Sequence, residues 1–158
     1  MESTRPATAG DLDHVVALAR AMRAELTEMR GGAVWAQREA RPEPLADAYG
    51  ALLARDDASV VLGLIDDVVV GFGALEVECL RSGNSLGVVT DLFVDLDARA
   101  VGVGEGIVGA LVDFAVAHRC IGIDAFALPG HRAAKNFFET HGFTARALTM
   151  HRRLSTDA

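Results

Sequence analysis

Val88-Val89-Thr90-Asp91-Leu92-Phe93-Val94-Asp95-Leu96-Asp97-Ala98-Arg99-Ala100-Val101-Gly102-Val103-Gly104-Glu105-Gly106-Ile107-Val108-Gly109 reads as a hydrophobic strand, a short acidic turn and then Arg99-x-x-Gly102-x-Gly104 opening an amphipathic helix. Apolar residues at Ile107, Val108, Leu111, Val112 and Ala115 continue that helix at the spacing of one buried face. Backbone amides in the first turn of a helix have no intrahelical partner and lie at the positive end of its dipole. A glycine-rich entry lets a phosphate come close to them, so the stretch implies a phosphorylated ligand.

The same glycines also spell Gly104-Glu105-Gly106-Ile107-Val108-Gly109, a GxGxxG, with Asp124 twenty residues after Gly104. A dinucleotide fold uses that fingerprint directly after its first strand. Here Val94 lies eight residues before Gly102 and only about fifty residues follow the loop, which argues against a dinucleotide fold. Gly106 and Gly109 then fall inside the helix, where close packing against a sheet is the simpler reading.

The spacing resembles the acetyl-coenzyme A loop of the GCN5-related N-acetyltransferases (GNAT), in which a Leu-aromatic-Val strand end precedes Arg/Gln-x-x-Gly-x-Gly/Ala. Leu92-Phe93-Val94 and Arg99, Gly102 and Gly104 hold those positions. Three further segments resemble the family in the right order: Arg5-Pro6-Ala7-Thr8 with Asp11-Leu12, Asp67-Val68-Val69-Val70-Gly71-Phe72, and Ala134 through Gly142-Phe143. The resemblance covers nearly the whole chain. It implies acetyl-coenzyme A as cosubstrate, bound by Leu92, Phe93, Val94, Arg99, Ala100, Val101, Gly102, Val103, Gly104 and Glu105, with His131, Ala134, Lys135, Phe137 and Phe138 from the last signature.

Periodicity supplies the remaining organisation. Thr8 with Asp11 resembles a capping box, and Leu12, Val15, Val16, Ala19, Met22, Leu26 and Met29 recur at helical spacing until Gly31-Gly32. Residues 33 to 44, with Trp35, Pro42 and Pro44, read as a loop leading to a helix that carries Leu45, Tyr49, Leu52 and Leu53. The family builds its acceptor site on this helical pair. Val60–Ile65 and Val68–Val77 are β-branched runs joined at Asp66-Asp67, a hairpin, and Arg81-Ser82-Gly83-Asn84 turns into a strand from Leu86 to Val94. Ile121–Leu128 returns as a strand, a helix runs from about Arg132 to His141, and Phe143 to Leu154 is expected to close the sheet. The order is β-α-α-β-β-β-α-β-α-β, an α/β fold with a mixed, mostly antiparallel sheet splayed at the cofactor site, in one domain over residues 1–158.

Composition agrees. A chain of 158 residues buries about 70% of its unfolded surface, enough for one core without disulfide or metal. Cys79 and Cys120 form no CxxC, and no signal-like or membrane-spanning apolar run occurs, so a cytoplasmic, reduced protein is expected. The net charge of −7 is uneven: residues 1 to 128 carry ten arginines against twenty acids, and residues 129 to 158 five basic residues against two acidic. No basic run or aromatic interleaving suggests nucleic acid. Arg132 and Lys135 either help neutralise coenzyme A phosphates or coat an exposed helix face. The acidic remainder favours an amine-bearing acceptor, a small molecule or peptide, and a homodimer is compatible. His14, His118, His141 and His151 show no metal-ligand spacing, and no metal is expected.

The resemblance implies direct transfer, with the thioester carbonyl polarised by backbone amides near Leu92–Val94, and a base that takes the amine's proton. Asp91 is the first candidate, followed by Glu76 and Glu78 on one face of the neighbouring strand; each also reads as a solvated strand-end carboxylate. Where the family has a tyrosine able to protonate the leaving thiolate, this chain has Phe138. Water, another group or no dedicated acid then serves the sulfur, or the domain binds coenzyme A without turnover, as a regulatory module. Tyr49, the only tyrosine, reads as a core or loop residue, with a role at the acceptor site as the alternative.

Overall fold

The computed structural model describes residues 1–155. Five strands, β1 (Glu2–Pro6), β2 (Ala58–Ile65), β3 (Val68–Cys79), β4 (Ser85–Val94) and β5 (Cys120–Ala125), form one sheet in chain order. Each neighbour pair from β1 to β4 is antiparallel, and β5 runs parallel to β4. Five helices accompany it: α1 (Leu12–Thr27), α2 (Gly32–Arg38), α3 (Leu45–Leu53), α4 (Val103–Ala117) and α5 (Arg132–Thr140). The expected mixed α/β architecture is therefore observed.

Strand alternation sorts the core onto the two faces. Val60, Leu62 and Leu64 join Phe72, Ala74 and Phe93 beneath α1 and α3, where Val15, Met22 and Tyr49 are buried. Val61, Leu75 and Val89 face the other way, onto Val103, Ile107, Leu111 and Ala115 of α4. The close approach of α4 depends on glycines of the sheet: a Cβ on Gly63 would stand 2.4 Å from Val103 Cγ1, and one on Gly73 2.5 Å from Ile107 Cγ2. Gly106 meets β1 at Thr4, whereas Gly109 faces open space, so the expected packing role holds for Gly106 only.

The β2–β3 hairpin turns on Asp66 and Asp67, both at positive φ (46° and 68°), the geometry that matches a two-residue turn to strand twist. Two segments differ from the sequence reading. Residues 32–38, from the expected helix stop at Gly32 into the loop expected over 33 to 44, form α2, because Gly31 (φ 86°) reverses the chain and Trp35 then anchors in the α1 core. Phe143–Leu154 forms no strand among the described residues, leaving β5 with β4 as its only partner. Its apolar residues change parity, from Phe143, Ala145 and Ala147 to Leu148, Met150 and Leu154, so no single strand register would bury them together. The segment is tethered instead by Arg146, which donates from Nε to Asp124 Oδ1 at 2.7 Å. Among the described residues no helix is long and apolar enough to cross a membrane.

Candidate active site

The turn after β4 delivers an uncapped helix end. Asp95 N donates to Val70 O at 2.8 Å, and Ala100 (φ 68°) and Gly102 (φ 91°) reverse the chain into α4. The first helical bond runs from Gly106 N to Gly102 O, and no side chain caps Gly102. The amides of Val103, Gly104 and Glu105 have no helical acceptor before them and are left as donors at the positive end of the α4 dipole. Gly102 is required there by its positive φ. A Cβ on Gly104 would lie 3.5 Å from the Phe137 ring, which crosses the first turn of α4.

The Arg99 side chain is committed elsewhere. Its guanidinium makes a two-pronged pair with Glu25 of α1 at 2.9 and 2.7 Å, donates from Nε to Val94 O at 2.8 Å, and lies over the Phe93 ring. It clamps the end of β4 to α1, holding the Glu25 carboxyl below its usual range chiefly through this hydrogen bond. Phe93 is accordingly buried on the α1 face, while Leu92 and Val94 pack toward α4.

A cleft opens beside β4. The β4–β5 pairing ends at Val89 and Ala125, and between β3 and β4 the register slips so that Thr90 has no partner of its own, a bulge that bends β4 away. The cleft, about 70 Å³, is lined by Thr90, Asp91 and Leu92 from β4 and by His131, Ala134 and Phe138 on the α5 side, with Met22, Leu26 and Trp35. Phe138 is only 7% exposed, yet it borders this cleft, packed edge-on against Phe137 and Phe143. Lys135 points elsewhere, exposed and paired with Glu139 at 2.8 Å.

The carboxylates nominated as bases stand in an ion network. Asp91, 4% exposed, accepts from Tyr49 Oη at 2.6 Å, from Thr90 Oγ1 at 2.7 Å, and from Arg41 Nη2 and Nε at 3.3 and 3.4 Å. Arg41 Nη2 also donates to Glu76 Oε2 at 3.1 Å and to Thr90 Oγ1 at 2.7 Å, and Arg55 binds the other oxygen of Glu76. Burial, then the Asp91 charge, pushes the Tyr49 hydroxyl far above its ordinary pKa, so it serves Asp91 as a neutral donor. Burial opposes the Arg41 charge, but Asp91 and Glu76 outweigh it and raise its pKa. With these donors upon it, the Asp91 carboxylate is committed to the network and has little lone-pair capacity left for a substrate proton. Glu78 is exposed, outside the network.

Arg41, Arg55 and the Tyr49 contact were not anticipated. Arg41 sits between Ala40 and Pro42 in a segment without periodicity, and only folding shows that it lies beneath β4. Tyr49 as a core residue was anticipated: it is 1% exposed and packs edge-on against Phe72.

An uncapped helix entry thus stands beside a strand that splays from its neighbour. The family model described as "Acetyltransferase (GNAT) family" matches residues 19–143, and the chain belongs to that family. The BH1408 protein of Bacillus halodurans, solved as a tetramutant, superposes with a TM-score of 0.80 at 20% identity, covering 96% of this chain and 99% of that one. An aminoglycoside acetyltransferase from an uncultured soil metagenomic sample, in complex with sisomicin, gives 0.73 at 18% identity, with 99% and 97% covered. A ribosomal-protein-alanine N-acetyltransferase of Brucella melitensis biovar Abortus 2308 gives 0.71 at 17% identity, with 98% and 100% covered. At these identities the likeness is one of fold. Among curated proteins no match was found.

Proposed function

We propose that this chain is an acetyl-coenzyme A dependent N-acetyltransferase acting on a primary amine of a small molecule or peptide. The observation that carries the reading is the juxtaposition of the uncapped α4 entry with the cleft where β4 leaves β5. The residues present fit the cosubstrate: the Val103, Gly104 and Glu105 amides suit a diphosphate, and beyond Val89 the backbone of β4 borders the cleft without a β5 partner. When bound, acetyl-coenzyme A supplies an acetyl group on a thioester sulfur. Amides along Thr90–Val94 are placed to hold the carbonyl oxygen as it gains charge. Apolar Met22, Leu26, Trp35 and Phe138 exclude water from the reacting end.

The acetyltransferase neighbours named for an aminoglycoside complex and for ribosomal-protein alanine support an amine acceptor in general and choose neither substrate. The network around Asp91 changes the expected acceptor chemistry, because Arg41 and Arg55 already neutralise Asp91 and Glu76. An acceptor ammonium would have to compete with a resident guanidinium. That occupation, with the missing hydroxyl at Phe138, is what supports a second reading, a coenzyme A-binding regulatory domain. The deciding experiment combines calorimetry with coenzyme A and a free-thiol assay with acetyl-coenzyme A over a panel of amines. Binding with amine-dependent thiol release supports the enzyme, binding without it supports the regulatory domain, and no binding removes both.

A further inference from the structure

His131 holds the one imidazole of the cleft. It is half-buried at the start of α5, its backbone N–H donates to Leu128 O at 2.8 Å, and its ring makes no side-chain hydrogen bond among the described residues. Thr90, Asp91 and Leu92, where the acyl group would be held, line the same small cleft. Asp91 and Thr90 are engaged with Tyr49, Arg41 and each other, and Phe138 has no proton to exchange. Among the residues lining the cleft, the His131 ring is therefore the titratable group with hydrogen-bonding capacity to spare.

We propose that His131 carries the proton in the acyl-transfer step, taking it from the attacking amine and returning it to the departing sulfur; this rests on the acetyltransferase reading above. The amine lone pair forms the C–N bond at the thioester carbonyl carbon, and the nitrogen's proton passes to the imidazole. The C–S bond breaks with its electron pair leaving on sulfur. The imidazolium then gives its proton to the thiolate, so that amide, thiol and neutral imidazole result. One proton moves from nitrogen to sulfur, and no other reactant is needed. The charged groups acting on the ring are Glu25 on α1 and Arg99 in the turn before α4; Asp91 lines the same cleft, and Arg132 is the next residue on α5. Burial lowers the His131 pKa first, Glu25 raises it and Arg99 lowers it, with the net effect downward from 6.5. The ring is neutral near pH 7, the form a proton acceptor needs.

His131→Asn and His131→Gln test this, Asn being a favourable residue at a helix start. The expected result is a fall in kcat of about 10²-fold or more, well beyond any loss of coenzyme A affinity read by calorimetry. The acid limb of the kcat/KM profile below 6.5 should lose one proton's worth of slope, leaving the acceptor amine's own ionisation. Adding Phe138→Tyr to His131→Asn should recover part of the rate by supplying a hydroxyl to the sulfur. In the wild-type protein, coenzyme A should shift the His131 ring signals and their titration in NMR spectra. Variants that keep kcat and the acid limb, variants that lose affinity in proportion to activity, or ring signals indifferent to coenzyme A would overturn the proposal. A wild type that binds coenzyme A yet acetylates no amine would instead overturn the acetyltransferase reading beneath it.

Discussion

Tyr49 donates its hydroxyl to Asp91 at 2.6 Å across 42 residues of sequence, joining α3 to the bulged part of β4. The contact fixes the Asp91 side chain at the cleft and ties the shape of the bulge to the helices on that face. Arg41, inserted from the segment between α2 and α3, completes the enclosure by touching Asp91, Thr90 and Glu76 together.

Tyr49→Phe should therefore act on stability before chemistry. Removing the hydroxyl leaves a buried carboxylate short of a donor, at a cost of about 1–3 kcal/mol in urea unfolding. Asp91→Asn should lower stability too while keeping the wild-type pH profile. A profile that loses its acid limb in Asp91→Asn would restore Asp91 as the base.

Gly102 and Gly104 should separate in their responses. Gly102→Ala puts a side chain at φ 91°, costing about 1–3 kcal/mol and turning the α4 amides, so coenzyme A affinity falls together with the melting temperature. Gly104→Ala meets Phe137 at ordinary contact distance and should leave the melting temperature nearly unchanged. Gly104→Val must displace Phe137 or crowd the anion site, and calorimetry should show coenzyme A binding lost in a folded protein.

Arg99→Ala should destabilise the protein by about 1–2 kcal/mol, since the pair with Glu25 is partly solvent-screened. Coenzyme A affinity and its salt dependence should stay close to wild type. A marked drop in that salt dependence would mean that the guanidinium leaves Glu25 to meet a phosphate.

Acid should loosen the entry to α1. The hydrogen bonds of Asp11 to Arg5 first, and then to the Thr8 backbone, hold its carboxyl well below the ordinary range. A carboxyl whose folded pKa is depressed contributes stability that is present above its unfolded pKa of about 3.9 and disappears as pH falls further. Melting temperature should drop as pH decreases below about 4, and Asp11→Asn should start lower and show a shallower acid dependence.

The parts of this protein legible in the chain itself are those set by local physics. The period of Ile107, Val108, Leu111 and Ala115 specified α4, the Asp66-Asp67 pair specified a tight hairpin, and Gly102 marked the reversal before the helix, because each depends on backbone geometry within a few residues. The expected closing strand from Phe143 to Leu154 is not formed among the described residues, since the parity change at Ala147-Leu148 spoils any one register. What only the tertiary structure decided is the pairing of charges, Arg99 with Glu25 over 74 residues, Arg41 with Glu76 over 35 and with Asp91 over 50, and the placing of His131 in one cleft with Thr90 and Asp91. No spacing rule connects such partners. Their contact follows from how α1, the α2–α3 segment and α5 pack against β4, and that packing determines which carboxylates are spent on structure and which group remains to move a proton.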